Sequence, residues 1–146
     1  MARPVRKNRN RGYQQLRVWQ DAIDYYVNTS RIFRKLPYDL TKIIDQEISS
    51  VDSVHRNIAE GYCRRSLKEY LYFLHIALGS LGESVSGLIA YNKAEQISDT
   101  DFDMLDEMAY RLENGMLKLV EALNRKSYSD LSSPLMVKEI NTFYNS

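Results

Sequence analysis

The feature that most constrains this chain is a run of leucines at heptad spacing. Leu67, Leu71, Leu74, Leu78, Leu81, Val85 and Leu88 recur in unbroken steps of three and four. Such steps put every apolar side chain on one side of an α-helix, whereas a strand would need alternation by two. A second seam is equally regular: Phe102, Leu105, Ala109, Leu112, Met116, Leu119 and Leu123. A stripe of this kind is stable only when another element covers it, so the chain must be built of packed helices.

Two earlier stretches carry the same period. Leu16, Trp19, Ile23, Tyr26, Ser30 and Phe33 form one stripe, widened by Ala22 and Val27 and stopped near Leu36 by Pro37. Leu40, Ile44, Ile48, Val51, Val54 or His55, and Ile58 form the next. Asp39 is its expected cap, and Gly61 its terminator through a left-handed conformation, although the period can run on to Tyr62 or Cys63. Ser66-Leu67-Lys68-Glu69 fits a capping box, in which the Ser66 hydroxyl accepts from the Glu69 amide and the Glu69 carboxylate reaches back to the Ser66 amide. Ser98 or Asp99 opens the last helix. Asp101 and Asp103 favour its N-terminal dipole, and Arg125 and Lys126 its C-terminal one.

Four amphipathic helices of about 20 residues with connections of about three to six predict an all-α fold, an antiparallel up-down-up-down four-helix bundle over residues 16–126. A flexible basic arm (residues 1–15) precedes it. A C-terminal tail (residues 127–146) follows, where Pro134, Met136, Ile140 and Phe143 allow one short docking helix. A length of 146 residues fits one domain. No apolar run reaches the ~18 residues that span a bilayer. The charged N-terminus lacks the hydrophobic stretch of a secretory signal. The expectation is a cytoplasmic protein without membrane contact.

A net charge of +1 hides an asymmetry. Residues 1–17 carry Arg3, Arg6, Lys7, Arg9, Arg11 and Arg17 and no acid, while the remainder holds 14 basic and 19 acidic side chains. A basic arm on an acidic body fits a polyanion, or equally a solvated tail. Tyr13 is the arm's single ring for stacking on a base.

Catalytic chemistry finds little support. Neither histidine, His55 or His75, completes the Glu-x-x-His pairs of a bundle metal site, because Asp52 and Tyr72 stand three residues before them. No metal or other cofactor is expected. Cys63, the one cysteine, is followed by Arg64 and Arg65, which would activate an exposed thiol, but a small residue at a crowded helix corner is the plainer reading. Gly79, Gly82 and Gly87 lie inside the third helix and not before one, so they cannot cradle a phosphate. Each costs roughly 1 kcal/mol there relative to alanine, which implies a compensating close approach, inside the monomer or against another subunit. Tyr25, Tyr62, Tyr70, Tyr72, Tyr91 and Tyr110 fall on faces that a four-helix monomer need not bury, which favours a homo-oligomer.

Between the second and third helices, Asn57, Glu60, Gly61, Ser66 and Glu69 read as a polar structural corner. Glu60 would pair with Arg64 or Arg65, and Asn57 would satisfy free carbonyls at the helix end. In the rival reading Arg64, Arg65 and Lys68 face a phosphate backbone or a partner carboxylate.

At these residues the chain resembles the 23S rRNA-intervening-sequence proteins. The resemblance rests on LRVWQDAIDYY at 16–26, NIAEGYCRRSLKEYLYFLHIALGSLGE at 57–83 and the amphipathic fourth helix, and covers about residues 16–126. His55 stands where the family has a proline that kinks helix two, and Cys63 where it has a second glycine. The family takes its name from genes lying within ribosomal RNA insertions, which describes a location and not an activity. The resemblance implies a ring-like pentamer and no enzymatic activity. It is similar in kind to the accessory variability determinant proteins of diversity-generating retroelements, which bind RNA and a partner reverse transcriptase.

The expectation is therefore a non-enzymatic oligomeric adaptor for RNA or an RNA–protein complex, with accessory service to a reverse transcriptase as its most concrete form. Nucleic-acid contacts are expected at Arg3, Arg6, Lys7, Arg9, Arg11 and Arg17, then at Arg64, Arg65 and Lys68. The alternative is a protein–protein interaction bundle in a defence or toxin–antitoxin-type complex, using the acidic start of helix four, Asp99 to Glu107, without nucleic-acid contact.

Overall fold

A computed structural model of the chain describes residues 2–4, 6 and 8–127. Lys7 and the short helix expected within 127–146 lie outside the described residues. The rest is helical, with no strand among the described residues: α1 (Arg17–Phe33), α2 (Thr41–Cys63), α3 (Leu67–Lys93) and α4 (Asp99–Ser127), with 3-10 turns at Arg9–Gln15 and Tyr38–Leu40.

Helix α1 packs on α2 and α4, and α3 packs on the same two. Along α2 and α3 the partners run in opposite order. Gly61 meets Phe73, Ser53 bonds Ser80 at 2.8 Å, and Glu47 meets Ser84. The core is one cluster fed by all four helices, with Phe33, Ile58, Leu74, Leu81, Leu112 and Leu119 fully enclosed.

The α4 seam is buried as its spacing predicts, with Val120 added and Phe102 only half-buried. The α3 seam is rotated. Tyr70, Ala77 and Ser84 are buried, while Leu71, Leu78 and Val85 are half-buried. In α1 the buried set is Val18, Ala22, Tyr25, Thr29, Ile32 and Phe33, which leaves Trp19, Ile23 and Tyr26 at the boundary. Tyr25 and Tyr70 are thus core residues and not interface tyrosines. Tyr62 and Tyr91 pack on the core edge, and Tyr72 and Tyr110 face solvent.

Several ends differ from expectation. Helix α1 stops at Phe33, and two short turns carry the chain to Pro37. Asp39 does not cap α2. It lies in the Tyr38–Leu40 turn, and the Thr41 hydroxyl donates to the Tyr38 carbonyl instead. Ser98 does cap α4, accepting from the Asp101 amide at 3.1 Å. Helix α2 runs unbroken through His55. Helix α3 is long and apolar enough to cross a membrane by length and composition, a property shared with core helices, yet only 28% of its apolar stretch is buried.

Candidate nucleic-acid interface

The basic leader does not run free up to Leu16. Arg9–Gln15 winds into a 3-10 helix that docks on α2. Its sequence explains the docking. Gly12 lets the backbone press on the Tyr62 hydroxyl, where any Cβ would collide. Tyr13 turns inward to meet Trp19 edge-on, with ring centres 5.2 Å apart. The Asn10 carbonyl accepts from the Cys63 thiol at 3.3 Å. Arg9 and Arg11 are therefore carried on a fixed segment. Arg9 lies near enough to Tyr62 and Cys63 to oppose the upward push that burial gives both groups. Arg3, Arg6 and Arg11 line one cavity of about 320 Å³ together with Pro4 and Gln14, with no acid among the described residues of its walls. Arg17 opens α1 and is exposed.

The α2–α3 connection is shorter and tighter than a glycine-terminated corner. Gly61 is inside α2, with no left-handed backbone, and α2 continues to Cys63. Gly61 is needed for space. A Cβ there would stand 2.9 Å from the Phe73 Cβ and 3.1 Å from the Tyr70 carbonyl oxygen. Asn57 satisfies no end carbonyl. Its amide donates to the Ser53 carbonyl and hydroxyl, at 2.8 and 2.9 Å, one turn back. Glu60 does pair with Arg64, at 2.5 Å. Arg64 also lies 4.8 Å over the Phe73 ring and 3.9 Å from Glu69. It is thus engaged by its own chain, whereas Arg65 and Lys68 are exposed. Ser66 caps α3 as expected through the Glu69 amide at 3.1 Å, but the Glu69 carboxylate takes the Ser66 hydroxyl in place of the amide.

Residues 14–130 match the family model of the 23S rRNA-intervening sequence proteins. The chain belongs to this family. Among curated proteins no match was found. In this family member, the Asn57–Tyr62 stretch forms the last turns of α2, with Gly61 in the packing seam. Burial and the Glu60 carboxylate push its Cys63 thiol up, against the pull of Arg9. His55 is fixed by Asp52 at 2.8 Å and by the edge of Tyr26.

One polar cluster was not anticipated. Glu47 is 2% exposed and sits in the α2 seam between Ile44 and Val51. The Ser84 hydroxyl donates to it at 2.6 Å, and the Tyr25 hydroxyl lies 2.7 Å from Ser84. Burial pushes the Glu47 carboxyl up to about 7, against the pull of the Ser84 hydrogen bond. Gly87 makes the room, since a Cβ there would strike the Glu47 carboxylate. The signal was present in the sequence: Glu47 stands three residues after Ile44 and four before Val51, on the apolar stripe itself.

Proposed function

We propose that the chain is a non-enzymatic, self-associating adaptor that binds RNA through the cations of its leader. The observation that carries this reading is the grouping of Arg3, Arg6 and Arg11 around one cavity with no acid among its described lining residues, beside a docked segment that holds Arg9. Cations fixed before binding lose less conformational freedom than those on a loose tail. Contacts would be to phosphates, which position without reading sequence. The family description, with its reference to ribosomal RNA, is compatible with an RNA-related role.

The short links and the opposed order of α2–α3 contacts support the finer architecture, an antiparallel up-down-up-down four-helix bundle. Self-association is supported by α3. Its outer face presents Tyr72, Gly79, Gly82 and Ile89, and among the described residues an added Cβ on either glycine would meet nothing within 4 Å. Within the described residues the cost of these two glycines is therefore uncompensated. A pentamer, and accessory service to a reverse transcriptase of a diversity-generating retroelement, rest on the resemblance alone. An adjacent reverse transcriptase gene would support the latter.

The test is RNA binding against salt. Neutralising six to ten phosphates would cost about 10³- to 10⁵-fold in affinity between 50 and 200 mM salt. Changing Arg3, Arg6, Arg9 and Arg11 to Gln should flatten that slope and weaken binding without unfolding the helices. An unchanged slope rejects the leader as the contact. A protein-binding reading is favoured by one observation: Met104, Tyr110 and Leu117 stand exposed on α4 beside Glu107. A partner retained from nuclease-treated lysate would move the assignment there.

A further inference from the structure

The docked 3-10 segment closes one side of a groove of about 490 Å³ between α1 and α2. That volume is within the ~300–1,000 Å³ range of small-ligand sites. Its lining is mixed, and Tyr13, Trp19, Ile23 and Ala59 supply the apolar part. Tyr13 and Trp19 meet edge-to-face, at 66°. In that arrangement the pair does not cover both faces of either ring, and both residues remain half-buried at the groove. The polar part carries both donors and acceptors, from Asn10, His55, Arg56 and Glu60. Arg56 uses its Nε on Asp52, and a guanidinium has further N–H donors. Arg9 stands within electrostatic reach of Cys63, which also lines the groove.

An aromatic groove whose lining also offers hydrogen-bonding groups of both kinds, with cations nearby, matches an unpaired nucleobase. The ring stacks, the base edge finds donors and acceptors, and the adjoining phosphates find guanidinium groups. We propose that this groove takes one unpaired base of a single-stranded RNA segment, stacked on Trp19, with the flanking phosphates on Arg9 and Arg56. The proposal rests on the RNA-binding reading above and adds that a base, not only the backbone, is held.

Trp19 is the only tryptophan in the chain, so its emission reports the groove directly. Full-length protein is titrated with three probes: a labelled single-stranded oligouridine, a labelled RNA duplex of equal length, and polyphosphate. Anisotropy follows binding of the labelled RNAs, and Trp19 emission follows stacking. The expected result is saturable quenching by the single strand alone. Ala59→Leu, which fills the groove from α2 and leaves both rings in place, should abolish the quenching. It should also weaken single-strand binding by about 5- to 150-fold, the worth of one stacked base, with duplex binding unaffected. Single-strand binding with unchanged Trp19 emission, or equal quenching by duplex or polyphosphate, overturns the stacking site while RNA binding stands. No anisotropy change with either RNA overturns the RNA-binding reading and the stacking site with it.

Discussion

Glu47 makes the stability of this protein depend on pH in a way that can be worked out in advance. The carboxyl is enclosed, and its side-chain hydrogen bond is to the neutral Ser84 hydroxyl. The titratable groups around it are Tyr91 and Glu83 on α3 and, beyond Ser84, Tyr25 on α1, which in turn feels Asp106 of α4. None of these supplies a positive charge. Burial therefore favours the protonated acid and raises its pKa from 4.5 to about 7. Between those values the folded state holds a proton that the unfolded chain has released. Stability must then fall as pH rises above 4.5, and stop falling once pH passes about 7. At about 1.4 kcal/mol per pH unit the full loss is about 3 kcal/mol, a large share of a typical domain stability of about 5–15 kcal/mol. The assay is urea unfolding followed by far-UV circular dichroism from pH 5 to pH 8.5 at one protein concentration, with Glu47→Gln beside the native chain. Glutamine keeps an acceptor for Ser84 and cannot ionise, so other titrations cancel in the difference. The native chain should lose about 3 kcal/mol relative to the variant across that range, a shift of roughly 1–3 M in midpoint. Parallel pH profiles for the two proteins would refute the reasoning.

Two further substitutions separate the glycines by function. Gly61→Ala should destabilise by about 1–3 kcal/mol, because the nearest obstacles are the Phe73 Cβ and the Tyr70 backbone, which cannot swing away; thermal unfolding checks this, and an unchanged midpoint would count against the tight α2–α3 approach. Gly79→Ala and Gly82→Ala should stabilise an isolated chain by roughly 1 kcal/mol each through helix propensity, yet lower the association measured by analytical ultracentrifugation. Unaltered association would remove the outer face of α3 as the self-contact.

Among the described residues the type and approximate ends of the four long helices were legible, because long apolar stripes admit one period only. The face each helix buries was less so. In α3 the leucines drew the seam through Leu71, Leu78 and Val85, while the structure buries Tyr70, Ala77 and Ser84 one position earlier. The reason is chemical: Ser84 bridges two other buried polar groups, Tyr25 and Glu47, and a polar core residue is invisible to a hydrophobic count. The same blindness hid Glu47. Gly61 was misread because a glycine at a helix end has two uses, a left-handed turn and a close approach, and spacing alone cannot separate them. The docked leader was unreadable for a related reason. Its anchors are Gly12 on Tyr62 and Asn10 on Cys63, contacts that cross 50 and more residues and leave no local period.

The leader and α3 stand in a dependent relation on the proposed reading. One chain offers only a few leader cations, and exposed charges act over about 10 Å at ordinary salt. A single copy would then hold RNA weakly against an acidic body. The groove and the 3-10 segment lie on α1 and α2, whereas the open glycines lie on α3. Each added copy would bring a further set of arginines, and linked sites raise avidity without any new contact. The open glycine face and the basic leader are on this account parts of one device, in which assembly supplies the charge density that a single chain lacks.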